Sequence, residues 1–329
     1  MHSYIDMHCD SLLRVLEEGE GSLYDGEGMQ SIKKLTKARQ MCQFFAIFFR
    51  PGWLETEEDE KYFEALRNAL YSQVEAHADI IAMAHNYEEI QANRRDGRAS
   101  AVLTVEDGRM VKGRMEKLQE MYAKGVRAIT LTWNFANCFG YPNSREVEAM
   151  KKGLTSFGKE AIEEMNRLGI LIDVSHLSDG GFWDVAFLSE KPFIASHSNC
   201  RALTHHPRNL TDDMILCLAQ KGGVAGLNLC PAFLAGAQKS GAGAENGSER
   251  AESQVKNLTA HVLHFVKIGG EDCIGIGTDF DGIEGKLEID CPMKMELLFA
   301  ELIRHGMTPR QLDKLVRGNV LRVIKDTMK

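Results

Sequence analysis

The chain has 329 residues, of which 44% are hydrophobic and 26% charged, and a formal net charge of −8 at pH 7. That balance reads as a soluble globular protein with enough chain for one large domain or two ordinary ones. The acidic excess argues against a nucleic-acid partner, because affinity for phosphate backbones comes mainly from lysine and arginine.

No apolar run approaches the length needed to span a bilayer, so no membrane partner is expected. The opening residues already read as strand, not as a secretory leader. Eight cysteines (9, 42, 138, 200, 217, 230, 273 and 291) are scattered without C-x-x-C pairs. Reduced thiols in a cytoplasm are the expectation, not a disulfide scaffold or a cysteine zinc site. Cys9, flanked by polar neighbours, reads as a buried strand thiol.

In chain order, eight short apolar runs read as strands: "YIDMHC" (4–9), "QFFAIFF" (43–49), "SAVLTV" (100–105), "RAITLT" (127–132), "ILIDVS" (170–175), "FIASH" (193–197), "GVAGLNL" (223–229) and "IGIGT" (274–278). Most lack polar alternation, as parallel strands buried on both faces do. Amphipathic helices lie between them, among them "EKYFEALRNALYSQVEAHADII" (60–81), "KEAIEEMNRLG" (159–169) and "TAHVLHFVKIGG" (259–270). In the last two a glycine stands where the helix should stop. Eight alternating β and α units predict a (β/α)8 barrel of the TIM type over residues 1–329. A doubly wound sheet is the rival, but it would normally offer G-x-G-x-x-G after its first strand, where this chain has "HCDSLLR". The stretch "AGAQKSGAGAENGSERAESQ" (235–254) is too long for an ordinary connection. It reads as a mobile excursion after strand seven, either a lid or a plain loop.

Chemistry in such barrels sits where the strands finish. Strand one ends in His8 and Asp10, strand three in Glu106, strand five in His176 and strand six in His197. Strand eight ends in "GTDFDG", with Asp279 and Asp281. A lone polar residue after a strand is usually a cap; five strands of eight ending in metal-ligand types is not chance. Imidazole and carboxylate donors without thiolates suit catalytic zinc, with manganese or iron as alternatives. His8, Asp10, Glu106, His176 and His197 make a set that could hold two ions with Glu106 shared. Ions about 3.5–4 Å apart can hold a hydroxide between them and lower its pKa toward neutrality.

These strand ends resemble the zinc dipeptidases typified by renal (membrane) dipeptidase, a branch of the amidohydrolase-type barrels. The resemblance rests on "HCD" (8–10), "VEDG" (105–108), "DVSH" (173–176), "SHS" (196–198), "PRNLTDD" (207–213) and "GTDFDG" (277–282), and covers nearly the whole chain. It implies that His8 and Asp10 hold one zinc, that His176 and His197 hold the other, and that Glu106 bridges them. Asp279 would be the acid/base and Arg208 would bind the substrate's terminal carboxylate. The resemblance further implies a dipeptide substrate, tolerance of a D-residue at the C-terminal position and a homodimer.

One position departs from that family. Its mammalian members carry a substrate-binding histidine in an L-T-H triplet after strand four, where this chain has Trp133 in "LTWNFAN". An indole N–H donates but neither accepts nor titrates. The histidine's task would fall to a zinc, to Asn134 or to the indole, unless Trp133 is only a pocket wall. Arg208 could instead cap a helix or pair with Asp212 or Asp213. Asp281 is the alternative to Asp279, though it opens a D-G turn. Two other functions stay open at this level: a hydrolase of lactones, cyclic amides or phosphoesters on the same metals, and a binding protein with a decayed site.

Overall fold

The computed structural model describes residues 2–17, 22–49, 57–234 and 252–329. Eight parallel strands form a closed ring: β1 (Ile5–Cys9), β2 (Cys42–Phe48), β3 (Ala99–Glu106), β4 (Val126–Thr130), β5 (Leu171–Asp173), β6 (Ile194–Ala195), β7 (Val224–Leu227) and β8 (Ile274–Ile276). Each pairs with its neighbours in chain order, and β8 pairs with β1. This is the expected (β/α)8 barrel and not an open sheet.

The strand residues split into two buried sets. Ile5, Met7, Phe44, Val102, Ala128, Leu171, Ile194 and Val224 pack in one cluster with Val320, Val323 and Ile324 of the last helix, Asn319–Thr327. Their alternates, such as Phe45, Leu103, Val105, Ile129, Ile172 and Ile276, pack in the larger cluster with the surrounding helices. Period-two alternation therefore separates the barrel interior from the helix layer, and both sides are apolar. Side chains fill the end of the barrel next to the last helix, which leaves the opposite end for chemistry.

Helix boundaries follow local signals. Thr155, Ser178 and Thr211 each cap a helix by accepting the N–H three residues on. Thr211 and the first-turn Asp212 and Asp213 account for the "TDD" of the motif "PRNLTDD" as a helix start. Gly169 ends its helix in the left-handed region, as expected. One expectation needs correcting. The helix read as 60–81 spans Glu57–Ala76. Ile81 instead opens a three-residue strand, Ile81–Met83, that pairs with β3 outside the ring. Residues 235–251 of the expected excursion lie outside the described residues. Glu252–Ser253, just after them, pairs in parallel with Lys286–Leu287.

None of the eight cysteines forms a disulfide. Among the described residues no helix is long and apolar enough to cross a membrane.

Strands β6, β7 and β8 approach closely because two glycines let them. A Cβ on Gly226 or Gly277 would stand 1.8 or 1.7 Å from the carbonyl oxygen of Ser196. That oxygen is backbone and cannot swing aside. Gly277→Ala is expected to cost about 3 kcal/mol, read as a fall in thermal midpoint; an unchanged midpoint would contradict this packing.

Candidate metal centre

The ring brings the strand ends level. Phe48 is in register with Glu106, Glu106 with Thr130, and Thr130 with Asp173. Across the other side, Asp10 N–H donates to Phe280 O and Asp279 N–H to His8 O, which ties the end of β1 to the end of β8. Several residues at this rim leave the extended conformation. Asp107, His176, Asp279 and Asp281 all have positive φ, between 63° and 73°. Such backbones cost on the order of 1–3 kcal/mol each and collect at functional sites.

Glu106 is the centre. Its Oε2 lies 3.5 Å from His8 Nε2, while its Oε1 lies 3.0 Å from His176 Nε2 and 3.5 Å from His197 Nε2. The two latter nitrogens are 3.1 Å apart. His8 Nε2 also stands 3.4 Å from Asp10 Oδ2 and 3.8 Å from Asp279 Oδ1. All six residues are buried, His197 completely. A Cβ on Gly282 would fall 2.0 Å from Asp10 Oδ2 and 2.6 Å from Asp279 Oδ1, so the D-G turn exists to let backbone close against these carboxylates.

Outer groups settle the ring tautomers. His176 Nδ1 meets Asn134 Oδ1 at 3.1 Å, and an amide oxygen only accepts, so Nδ1 carries the proton. His197 Nδ1 meets Ser196 Oγ at 2.7 Å; that hydroxyl donates to Asp173 Oδ2, so it accepts from the ring. Both Nε2 atoms then present lone pairs to each other and to Glu106. His8 Nε2 and Asp10 Oδ1 have no hydrogen-bond partner at all. Buried polar atoms left unpartnered are costly unless a cation sits among them. The residues present therefore fit a divalent metal, and two groups of donors each lie within 4.8 Å: His8, Glu106 and His197, and His8, Asp10 and Asp279.

The electrostatics carry the same signature. Burial pushes the Asp279 carboxyl up to about 8, with Asp10 and Glu106 adding to the rise against His8 and Arg208. Burial also lowers His176 to about 4, helped by the Arg208 guanidinium. Burial opposes charge on Glu106, yet charged His8 and the three imidazole contacts hold it well below the usual carboxylate range. The cluster is short of positive charge.

Three further side chains named from the sequence lie around this cluster. Arg208 is buried, with Nη1 and Nη2 at 3.3 Å from Ser198 Oγ and His197 O and its Nε unpartnered. It is neither a helix cap nor a partner of Asp212, which pairs with His264 at 2.7 Å. Asn134 stands behind His176. Trp133 is half-buried, its ring 6.1 Å from that of His176 and 5.0 Å from that of Phe48. Asp281 is not part of the cluster. The backbone is left-handed at both Asp279 and Asp281, and Asp281 turns away to accept from Ser11 Oγ and the amides of Met29 and Gln30. Cys9 is fully buried in the helix layer.

Several contributors escaped the sequence reading. Asp173 accepts from Thr130 Oγ1 (2.6 Å), Ser175 N (3.0 Å) and Ser196 N (2.8 Å) as well as Ser196 Oγ. Asp6 accepts from Thr278 Oγ1 and N and from His8 N. Asn228 donates to Asp279 Oδ2 at 2.9 Å. Arg201 pairs with both oxygens of Asp179 and donates to Pro207 O and Asn209 O, which clamps the loop that carries Arg208. Asp6 and Asp173, each a carboxylate inside an apolar run, were the signals available in the sequence.

A closed parallel barrel with buried imidazoles and carboxylates gathered at its strand ends defines a metal-dependent hydrolase. The comparisons narrow this. The chain belongs to the membrane dipeptidase family, peptidase family M19, whose family model matches residues 1–329. An uncharacterized dipeptidase of Schizosaccharomyces pombe is 33% identical over 98% of this chain and 80% of its own length. The dipeptidase AC, a metallopeptidase of family M19, superposes with a TM-score of 0.87 at 26% identity, over 99% of this chain and 98% of that one. A metallopeptidase of Rhodobacter sphaeroides, solved with a phosphinate mimic of the dipeptide L-Ala-D-Ala, gives the same score and identity over 99% of both chains.

The Ser196 hydroxyl fixes the His197 tautomer, so Ser196→Ala should weaken divalent-metal affinity by on the order of tenfold in a competition titration against a chelator. Unchanged affinity would separate that hydroxyl from the site.

Proposed function

We propose that this chain is a dipeptidase that works with two divalent cations, as a single catalytic domain. His8 and Asp10 would hold one, His176 and His197 the other, and Glu106 would give one oxygen to each. The observation that carries this is the division of the Glu106 carboxylate, Oε2 toward His8 and Oε1 toward His176 and His197. Imidazole and carboxylate donors without thiolate favour zinc over softer or harder ions. Bound there, such cations supply Lewis acidity: they acidify a water to serve as nucleophile and polarise a peptide carbonyl.

The remaining steps belong to side chains. Asp279 faces the cluster through Oδ1, while Asn228 holds Oδ2. Asp279 takes the proton from the attacking water and gives it to the leaving amine. Arg208 supplies a planar fork for the free C-terminal carboxylate of the substrate. Its weak 3.3 Å contacts and unpartnered Nε leave that capacity unspent. Seated on His197 O and Ser198 Oγ, that anchor would set the C-terminal residue of the substrate beside the cluster. The phosphinate bound by the Rhodobacter sphaeroides relative supports the dipeptide class and tolerance of a D-residue at the C-terminal position. Eight cysteines without a disulfide support a reducing, cytoplasmic compartment.

Glu106→Gln is expected to abolish both bound ions and hydrolysis, read by elemental analysis and by a dipeptide assay; two retained ions with full activity would refute the bridge. Arg208→Ala should raise KM for a dipeptide by on the order of a hundredfold while barely changing that of the dipeptide amide. Equal effects on the two substrates would remove the anchor.

A further inference from the structure

Trp133 belongs to an aromatic group at the rim. Its ring contacts Phe48 edge-on at 5.0 Å and lies 6.0 Å from Phe135. Phe48 and Trp133 are half-buried and Phe135 is 55% exposed. Phe48 ends β2, in register with Glu106, and Trp133 follows β4. Both therefore stand beside the Glu106 strand. Arg208 is seated on the far arc of the ring, on His197 O and Ser198 Oγ after β6, with its guanidinium 5.4 Å from the Phe233 ring that follows β7. In the order of the closed ring β2 lies opposite β6. The donor cluster lies between the two.

A dipeptide has two ends, and this arrangement gives them different surroundings. With its carboxylate on Arg208 and its peptide carbonyl over Glu106, the substrate's N-terminal residue must extend toward Phe48 and Trp133. Exposed aromatic faces gain from apolar contact and give nothing to a carboxylate side chain. We infer that Phe48, Trp133 and Phe135 form the subsite for the N-terminal side chain and select dipeptides whose first residue is large and apolar. Trp133 is the specificity-determining residue of that subsite, through contact and not through proton transfer. The inference rests on the dipeptidase reading and on Arg208 as the carboxylate anchor.

The test uses the metal-loaded enzyme with Phe-Gly, Leu-Gly, Gly-Gly and Asp-Gly, which share a C-terminal glycine. Wild type should show kcat/KM for Phe-Gly and Leu-Gly above Gly-Gly and Asp-Gly by on the order of ten- to a hundredfold. In Trp133→Ala the ratio of Phe-Gly to Gly-Gly should fall by about tenfold, and Trp133→Phe should restore most of it. Hydrolysis of all four at similar kcat/KM would overturn the subsite and leave the dipeptidase reading intact. A Trp133→Ala enzyme slowed equally on every substrate would also overturn it, because that is the result of a disturbed His176. Failure to hydrolyse any of the four would sink the dipeptidase reading, and the subsite with it.

Discussion

A single carboxylate shared among three buried imidazole nitrogens is the constraint on which the rest of this molecule depends. Glu106, His8, His176 and His197 come from four strands, and each imidazole nitrogen lies within 3.5 Å of a Glu106 oxygen. Removed from water, converging lone pairs repel one another. The fold must therefore hold them together by other means, and a cation must complete them. Parallel strands with level ends do the first. The donor chemistry of the cluster invites the second.

The barrel divides this labour along its axis. Apolar interior side chains and the last helix fill one end, where burial of large side chains contributes about 1.5–3 kcal/mol each. That surplus offsets the left-handed backbones of Asp107, His176 and Asp279 at the other end. Around the donors runs a second layer of polar groups, with Asp173 behind Ser196 and His197, Asp6 behind Thr278 and the His8 amide, and Asn228 behind Asp279. Each fixes an orientation that the inner residue could not hold by itself. Across the mouth, a buried guanidinium and an aromatic cluster face each other, one suited to a carboxylate and the other to an apolar side chain.

Much of this was legible in the sequence because strand ends are local. An apolar run followed by His8 and Asp10, or by Glu106, announces both an element and its chemistry. Short apolar runs bounded by turn signals let all eight barrel strands be found. Ile81–Met83 was missed because three residues after an amphipathic helix prolong the helical pattern instead of breaking it. The D-G turn set Asp281 apart from Asp279, but its partners Ser11, Met29 and Gln30 lie far away in the chain and could not be read. The contact of the Asn134 oxygen with His176 Nδ1 joins residues 42 apart and could not be read from the chain. The supporting layer was illegible for a simpler reason: Asp173 and Ser196 are 23 residues apart, and only folding makes them neighbours.

Anomalous diffraction from crystals grown with zinc, recorded at the zinc edge, tests the central claim most directly. Two peaks flanking the Glu106 carboxylate are expected, one against His8 and Asp10 and the other against His176 and His197. A strand-end mouth without peaks, or a single ion that Glu106 does not touch, would contradict the account.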